Sequence, residues 1–394
     1  VSTAPIQSME ISLYPAYNII SKMLYPDPEL RRDIMGIGGT SQWPATLFRG
    51  TDQWGESYGY FLIDPIGGSI GAFAVGDGIN TGGQARTPIG QLPNVEHNEQ
   101  FYPILFLYRK ELTDSGGAGK FRGGLSAESC FIPHNTEQIV HDTLSSGNAI
   151  PTSTGMMGGY PSTTNAYTFI RDSDVINRMQ SASMIDDTSQ LQGEHELLEL
   201  RQENFVQNIS DVYAVRWSGG GGFGDPLKRD PEHLANDLYH QNISPLAAQK
   251  IFGAVLDENQ KVLIEATRDN RKRIQIERIK RLNGSERSTI KLSDPPVQNA
   301  SENLNLYSEK GQLHWGCAHC GTDLGQFKYN YKEQCLRDDM PVSESNPLVG
   351  EPDKFIDDPV VFRVFYCPGC GSQIDNEIAL ENDPILNDME LTIR

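Results

Sequence analysis

Short apolar and aromatic runs, bounded by Gly, Pro and Asp, recur through residues 1–230. Runs of this kind occupy residues 59–63, 71–75 and 102–108. Their lengths and bounding residues favour β-strands, and a helical period is visible only near Ile11 to Leu24. We therefore expect residues 1–230 to form one large, glycine-rich β domain.

Helix signals replace strand signals after this domain. Asp230 and Ser244 are N-cap residues, and each is followed by a proline at the first helical position. Residues 255–264 predict two strands joined by a turn, and residues 267–282 predict a helix that ends at an Asn-Gly pair. We expect residues 231–284 to form a helical and β-hairpin extension of the first domain.

A polar segment separates this extension from the C-terminus. Residues 285–310 contain Asp294-Pro295-Pro296, which disfavours helix and strand, so we interpret them as a linker. Residues 311–394 then form a compact module. The chain as a whole is predicted to be an α+β, β-rich protein with a large glycine-rich β domain, a short helical segment and this small C-terminal module.

Two Cys-x-x-Cys-Gly segments lie in the C-terminal module, one at Cys317 and Cys320 and the other at Cys367 and Cys370. Each segment can present two thiolates to one ion, and four thiolates form the ligand set of a structural Zn2+. A thioredoxin-like redox pair needs only one such motif, beside a strand and a helix, and fits less well. We predict a zinc-ribbon-like module whose closed sulfur shell leaves no position for a substrate.

Other residues that could act as ligands or bases are interpreted as structural. His314, His319 and Cys335 are reserve ligands that we assign to the surface or to packing. His97 lies in a polar loop with two glutamates, where a single histidine is more often structural. No Ser-His-Asp or Cys-His set can be assigned from the order of residues, so the catalytic residues stay unassigned.

The charge balance limits the classes of function. The 394 residues contain 33 Lys and Arg against 52 Asp and Glu, a net charge of −19, which repels nucleic-acid phosphates. The helix predicted at 267–282 is locally basic, and we interpret it as a solvated face that docks on an acidic partner rather than on nucleic acid. No apolar run approaches the roughly 18–20 residues that a membrane span needs.

The placement of the cysteines indicates a compartment. Before the C-terminal module the chain carries one thiol, Cys130, which is unlike a secreted disulfide protein and favours a reducing cytoplasm. The first five residues lack the basic region and the apolar stretch of a signal peptide. Because the chain also lacks an initiator Met, we expect it to be processed or a fragment.

Two glycine blocks resemble nucleotide-binding loops and fail on detail. Gly219, Gly221 and Gly224 satisfy G-x-G-x-x-G after a predicted strand, but Asp-Pro follows where the helix should open. A turn that needs positive φ angles explains this block better. The block at Gly116–Lys120 lacks the first glycine of a phosphate loop and its Ser or Thr. We therefore predict no ATP site and no other cofactor site besides the zinc in this chain.

Three blocks resemble the C-terminal half of the hydantoinase B/oxoprolinase family, in the family's order. They are Asp77-Gly78-Ile79-Asn80-Thr81-Gly82 with Asn94-Val95-Glu96; residues 101–112 with Asp114-Ser115-Gly116-Gly117-Ala118-Gly119-Lys120-Phe121-Arg122-Gly123-Gly124; and residues 219–227 with Arg229-Asp230-Pro231 and Ile243-Ser244-Pro245. The resemblance spans about residues 10–265. Nothing here matches the long N-terminal half of the family, so the resemblance implies that this half lies on another polypeptide or that the chain is a fragment.

The C-terminal module resembles a second family, the small zinc-binding gamma subunit of acetone carboxylase. The resemblance rests on residues 317–321 and 366–371, followed by Asp375 and Glu377. Hydantoinases and oxoprolinases resemble only the first part of this chain, whereas ATP-dependent ketone carboxylases use both parts. The combination implies a cytoplasmic subunit of a complex that adds bicarbonate-derived CO2 to an enolised ketone, and an isolated chain that is inactive.

The same resemblance implies partners and cofactors. A hydantoinase A-like subunit would carry the ATP site, and the chain with the missing hydantoinase B half would carry a His- and Asp-rich metal site. ATP, Mg2+ and a catalytic divalent metal would then lie on partner subunits, with bicarbonate and a ketone as substrates. Asp114, Arg122 and Asp225 are candidates for lining the substrate cavity, and their alternative role is turn stabilisation.

Two other functions remain open. The first is a subunit of an ATP-dependent cyclic-amide hydrolase of the hydantoinase or 5-oxoprolinase kind, against which the zinc module counts. The second is a non-catalytic scaffold subunit whose zinc module holds partners together, which the basic helix and the missing catalytic motifs favour.

Overall fold

The computed structural model describes residues 4–34, 44–84, 87–88, 90–199, 201–284, 290–292 and 294–390. Its helices are α1 (Ala4–Leu24), α2 (Val95–Phe101), α3 (Val175–Gln180), α4 (Pro231–Tyr239), α5 (Pro245–Lys250) and α6 (Ile264–Arg281). Its strands are β1 (Ala45–Thr51), β2 (Ser57–Leu62), β3 (Gly83–Gln84), β4 (Thr87–Pro88), β5 (Ile104–Glu111), β6 (Ala127–Pro133), β7 (Gln138–Leu144), β8 (Ala166–Arg171), β9 (Glu194–Leu197), β10 (Arg201–Asn208), β11 (Val212–Arg216), β12 (Gln298–Asn299), β13 (Leu304–Glu309), β14 (Gln312–Cys317), β15 (Asp323–Gln326), β16 (Leu336–Pro341), β17 (Val360–Tyr366) and β18 (Gln373–Leu380). The predicted α+β, β-rich class is confirmed.

Two antiparallel sheets form the first part of the fold. Their strand orders are β10-β7-β1-β2 and β5-β6-β11-β8-β9. The sheets share one aromatic core, in which Phe48 of the first sheet packs on Phe131 of the second with ring centroids 5.7 Å apart. Alternating burial along β7 places Ile139 and His141 on the core side, as expected for a strand with one buried face.

The glycine blocks are packing elements between backbone segments. A Cβ on Gly219 would lie 2.2 Å from the Ser115 carbonyl oxygen, and one on Gly221 would lie 2.1 Å from that of Thr154. Of the G-x-G-x-x-G glycines only Gly224 has a positive φ, +73°. The expected turn of positive φ angles is therefore wrong for the first two glycines, which are needed because neighbouring backbones leave no room for a side chain.

The C-terminal module contains two more antiparallel sheets, in the orders β12-β13-β14-β15 and β16-β17-β18. The module packs against the preceding parts of the chain. One buried cluster joins Leu234 and Phe252 of the extension to Phe362 and Val364 of β17, and Tyr160 of the first part belongs to the same cluster.

The interpretation of residues 285–310 as a linker is wrong at its C-terminal end. Leu304–Glu309 forms β13, which pairs with β14 through partners such as Leu304 and Cys317. Leu304 and Leu306 are buried because alternate side chains of this strand face the core of the module. Residues 285–289 and 293 lie outside the described residues, and Asp294-Pro295-Pro296 lies in neither helix nor strand.

The extension also differs in detail from its prediction. The hairpin expected at 255–264 is reduced to one antiparallel bridge between Leu256 and Val262. The Asp257 carboxylate closes the turn by accepting hydrogen bonds from the backbone N–H groups of Asn259 and Lys261, at 2.8 and 2.9 Å. In the described part of the chain, no helix combines the length and the hydrophobicity that crossing a membrane requires.

Candidate metal centre

Four cysteine sulfurs come together in the C-terminal module. The Sγ atoms of Cys317, Cys320, Cys367 and Cys370 all lie within 4.8 Å of one another. The Cys317–Cys370 pair is separated by 3.8 Å and the Cys320–Cys367 pair by 3.6 Å, too far for a disulfide bond. A tetrahedral ion with metal–sulfur bonds of about 2.3 Å places its ligands about 3.8 Å apart, so the four sulfurs fit one metal ion.

The two cysteine pairs lie on turns of the same construction. In the first turn the Gly321 N–H donates to the Cys317 carbonyl at 2.8 Å, and in the second Gly371 donates to Cys367 at 2.9 Å. Both glycines have left-handed backbones, with φ of +70° and +68°. A residue with a side chain would be strained at this position, which explains the glycine after each Cys-x-x-Cys.

The surroundings of the sulfurs supply hydrogen bonds and bury two of the four cysteines. The Gly369 N–H points at the Cys367 sulfur at 3.4 Å, and the Thr322 hydroxyl lies 3.0 Å from the Cys320 sulfur. Cys317 and Cys367 are fully buried. A hydrogen bond with Cys317 lowers the pKa of Cys320, which favours the thiolate form that a metal ion binds.

The candidate metal centre joins the two sheets of the module. Cys317 is the last residue of β14, and Cys367 directly follows β17, so each sheet contributes one turn. Trp315 and Phe365, one from each of these strands, belong to the same buried cluster as both cysteines. An ion at this point would therefore cross-link the sheets beside their shared core.

Helix α6 lies against the second turn. The Arg278 guanidinium donates to the Gly371 carbonyl at 3.2 Å, and the Gln275 amide donates to the Ser372 hydroxyl at 3.2 Å. Near its C-terminal end Arg281 pairs with Asp338 of β16. The acidic groups that face this basic helix thus include residues of the same chain.

The reserve ligands lie outside the sulfur cluster. His319 Nε2 lies 2.9 Å from the side-chain oxygen of Asn303, and His314 Nδ1 lies 3.1 Å from the Asp323 carboxylate. Cys335 is buried and contacts the Tyr331 carbonyl oxygen at 3.6 Å. These contacts agree with the assignment of all three to packing or to the surface.

Two of the cavity candidates, Asp114 and Asp225, hold backbone in place. Asp114 has a φ of +66° and accepts a hydrogen bond from the Ser244 N–H at 2.8 Å; burial raises the pKa of its carboxyl group. Asp225 is fully buried and accepts from the N–H groups of Leu227 at 2.9 Å and Gln373 at 3.0 Å. The second of these bonds ties the first part of the chain to the module.

The third candidate, Arg122, belongs to a buried ionic group. Its side chain lies 3.4 Å from Asp237, which also pairs with Arg229 at 2.6 Å, and Arg229 reaches Asp77 at 2.7 Å. Two guanidinium groups and two carboxylates thus compensate one another where α4 meets the glycine-packed region. These contacts match the turn-stabilising role, and a part for any of the three candidates in a substrate cavity stays a prediction.

Sequence reasoning missed a second buried ionic group. Lys332 is almost fully buried, and its ammonium group lies 3.3, 3.4 and 3.2 Å from carboxylate oxygens of Asp375, Glu377 and Asp388. Lys22 of α1 also pairs with Asp388. Asp375 and Glu377 already appeared in the resemblance, but no local pattern marks Lys332, because its partners are remote in sequence.

Two family models match separate parts of the chain. The model described as hydantoinase B/oxoprolinase matches residues 16–226, more than half of the chain. The model of the acetone carboxylase gamma subunit matches residues 290–394, which contain all four clustered cysteines. Both predicted resemblances are confirmed.

Curated relatives are similar to the chain in parts. The acetophenone carboxylase delta subunit of Aromatoleum aromaticum is 29% identical over 238 residues, covering 57% of this chain and 34% of that protein. The acetone carboxylase alpha subunit of Xanthobacter autotrophicus is 28% identical over 239 residues, 56% of this chain and 30% of that protein. The acetophenone carboxylase beta subunit of A. aromaticum is 37% identical over 83 residues, 20% of this chain and 64% of that protein. The chain thus spans about a third of the length of the first two relatives.

A solved structure shares the fold. The nucleotide-free structure of acetone carboxylase matches with a TM-score of 0.57 and 23% sequence identity, over 64% of this chain and 36% of that one. At this identity the match concerns the fold alone. Because the first family model covers more than half of its residues, the chain belongs to the hydantoinase B/oxoprolinase family.

Proposed function

We propose that the chain is a subunit of a multi-subunit, ATP-dependent ketone carboxylase, which adds bicarbonate-derived CO2 to an enolised ketone. The observation that carries this proposal is the presence of a hydantoinase B region and an acetone carboxylase gamma-like module in one chain. The buried cluster around Tyr160 and Phe362 supports it further, because the two regions pack as one body.

Zinc is the metal that we assign to Cys317, Cys320, Cys367 and Cys370. Four thiolates in a tetrahedral arrangement suit Zn2+, and a shell of four protein ligands leaves no position for water or substrate. The ion would supply cross-linking of the two sheets rather than Lewis-acid chemistry. The chain's own residues hold it through the two glycine turns and the hydrogen bonds to sulfur.

ATP, Mg2+ and a catalytic divalent metal belong, in this proposal, to partner subunits in the cytoplasm. The partners are a hydantoinase A-like, ATP-binding subunit and a chain that carries the rest of the hydantoinase B region. The packing of the glycine blocks supports this division, since Gly219 and Gly221 are occupied by contacts with Ser115 and Thr154 and offer no open loop to a phosphate.

This chain would contribute to catalysis by forming a rigid part of the wall of the reaction chamber. Phosphorylated carboxylation intermediates hydrolyse in water, so the reaction needs a chamber from which water is excluded. Closely packed backbone and compensated buried ion pairs, such as those of Arg229 with Asp77 and Asp237, make a surface that resists deformation.

The test is activity of the native complex. The tagged chain, purified from its own cells with its partners, should fix labelled bicarbonate in an ATP-dependent manner with acetone or acetophenone. A preparation from which this chain has been omitted should not. Full carboxylation without the chain would overturn the proposal, and ATP turnover with hydantoin or 5-oxoproline but with no ketone would assign the complex to the cyclic-amide hydrolases. A stable monomer that is active alone would exclude both the subunit and the scaffold function.

A further inference from the structure

A cavity of about 760 Å3 lies where three parts of the chain meet. Tyr160 comes from the hydantoinase B match, Arg278 from α6 between the two matches, and Tyr366 from the gamma-like match. The cavity is therefore a property of the assembled chain and of neither matched region alone. Its volume is in the range of small-molecule binding sites.

Two mostly buried tyrosines present their hydroxyl groups to this cavity, and neither hydroxyl makes a hydrogen bond within the described part of the chain. Tyr160 is 7% exposed and Tyr366 is 3% exposed, and both line the cavity. The two phenols lie near each other and near Arg278 and Asp338, since these groups influence the pKa of Tyr160. Because both hydroxyl groups are accessible from the cavity, each can donate a hydrogen bond to a ligand oxygen bound there.

Arg278 has donors to spare beside them. Its side chain is 11% exposed, donates to the Gly371 carbonyl at 3.2 Å, and stacks on the Tyr366 ring at 4.3 Å. The guanidinium of Arg278 forms an ion pair with the Asp225 carboxylate, but the nitrogen–oxygen distance of 3.9 Å is too long for a hydrogen bond. The Asp338 carboxylate is engaged by Arg281. The Arg278 guanidinium uses one of its N–H groups on the Gly371 carbonyl, so its remaining N–H groups can bind both oxygens of an anion such as a carboxylate.

A tyrosine hydroxyl group keeps its proton at neutral pH and can donate it in a hydrogen bond. Burial raises the pKa of Tyr160 further. At neutral pH the cavity therefore presents two O–H donors and a guanidinium. A ligand with an anionic or strongly polar oxygen matches these donors.

We propose that this cavity binds a small monocarboxylate with an apolar body, whose carboxylate accepts hydrogen bonds from Arg278, Tyr160 and Tyr366. The apolar body would lie against Leu246, Ile274 and Met340, which form part of the remaining wall. Four basic residues line the cavity, Lys250, Arg278, Lys280 and Arg281. They outnumber the three lining carboxylates of Glu277, Asp338 and Glu344, so the local charge favours an anion. This binding function is independent of the reaction proposed above.

The test is calorimetric titration of the full, zinc-loaded chain with benzoate, with benzamide as the neutral control. Benzoate should bind saturably and benzamide should not. The double variant Tyr160→Phe/Tyr366→Phe removes only the two hydroxyls and should weaken benzoate binding by about tenfold or more, because hydrogen bonds to a charged group are lost. Arg278→Gln should abolish binding. Arg268→Gln, on the exposed face of the same helix, and Tyr329→Phe, at the surface, should bind as the wild type does.

The results that would contradict the proposal can be distinguished from unfolding of a variant. Because Arg278 also holds the Gly371 carbonyl, its variant can unfold the module, and the tyrosine double variant then decides. Unchanged benzoate affinity in the double variant would overturn the proposal, as would equal binding of benzamide or no saturable binding of benzoate. A capped glutamate peptide that binds as tightly as benzoate would assign the cavity to a protein partner and overturn the small-molecule assignment.

Discussion

Gly371 lies so close to Gln275 that a Cβ on the glycine would be 2.2 Å from the glutamine's carbonyl oxygen. One glycine thus closes the second cysteine turn, with its φ of +68°, and also makes room for helix α6. Gly321, its counterpart in the first turn, has the same backbone conformation, but the nearest atom to its Cβ would be the Leu292 oxygen at 3.4 Å. The two positions separate the cost of backbone strain from the cost of a clash.

We predict that Gly371→Ala destabilises the chain more than Gly321→Ala does. Both substitutions force alanine into a left-handed conformation, which costs about 1–2 kcal/mol. Only the substitution at 371 also displaces backbone of α6, which adds about 1–3 kcal/mol. The measurement is the free energy of unfolding from denaturant titration. Equal losses for the two variants would show that α6 does not pack on the second turn as described.

Metal content is the second prediction. The purified chain should hold one zinc ion, and Cys320→Ser should lower the zinc content to nearly zero and destabilise the module by several kcal/mol, because metal binding and folding are coupled. The matched control is Cys335→Ser, since this buried sulfur lies in the same hydrophobic cluster but outside the candidate metal centre. Elemental analysis gives the zinc content. A control variant that loses zinc, or a Cys320→Ser chain that keeps it, would contradict the ligand set.

What could be predicted from the sequence was local. The spacing of Cys317 and Cys320 predicts a metal-binding turn, because the relative position of two ligands three residues apart is set by a short stretch of backbone. Helix α6 was predicted within a few residues of Ile264–Arg281 because its stop signal is local as well. Strand β13 was missed because its two buried leucines gain their partners only by pairing with β14.

Long-range charge compensation could not be predicted. The basic helix suggested an acidic partner, and the structure pairs its Arg281 with Asp338, which lies far along the same chain. Lys332 offers no sequence signal, since the carboxylates that surround it come from β18 and from the segment after it. Such groups become neighbours only when the sheets have formed, and the periodicity of the sequence does not indicate which residues will then meet.

The third prediction concerns the pH dependence of stability. Burial alone would raise the pKa of Asp388, but Lys22 and Lys332 outweigh it and hold the pKa of this carboxyl group below its usual range. Its stabilising effect is therefore present above the unfolded pKa of about 3.9 and is lost as the pH falls toward the lower folded value. At neutral pH, Asp388→Asn should cost about 3 kcal/mol, because Lys22 and Lys332 lose a buried partner.

The difference in unfolding free energy between the wild type and Asp388→Asn is the quantity to follow. It should be constant from about pH 7 to pH 5 and should shrink below about pH 4. Loss of zinc in acid affects both proteins and cancels in the difference. Exposed Asp383 supplies the control, and Asp383→Asn should stay within about 0.5 kcal/mol of the wild type. A difference that is the same at pH 3 and pH 7 would refute the role given to Asp388.

The fourth prediction tests whether the glycine blocks serve packing or ligand binding. A Cβ on Gly123 would lie 1.8 Å from the carbonyl oxygen of Gly220, which itself accepts a hydrogen bond from the Gly117 N–H at 2.8 Å. The backbone at Gly123 and the backbone at Gly220 cannot move apart to make room for a Cβ without breaking that hydrogen bond. Gly123→Ala should therefore destabilise the chain by more than about 4 kcal/mol and abolish soluble expression.

Gly59→Ala is the matched control, because no atom lies within 4 Å of a Cβ at this position in β2. It should express and melt as the wild type does. A loop that served a nucleotide would behave differently: substitution of its glycines would remove nucleotide affinity and leave the fold intact. Soluble yield and thermal melting by circular dichroism separate the two cases. A folded Gly123→Ala chain with an unchanged melting temperature would mean that these backbones do not pack as described, and the glycines would then need another explanation.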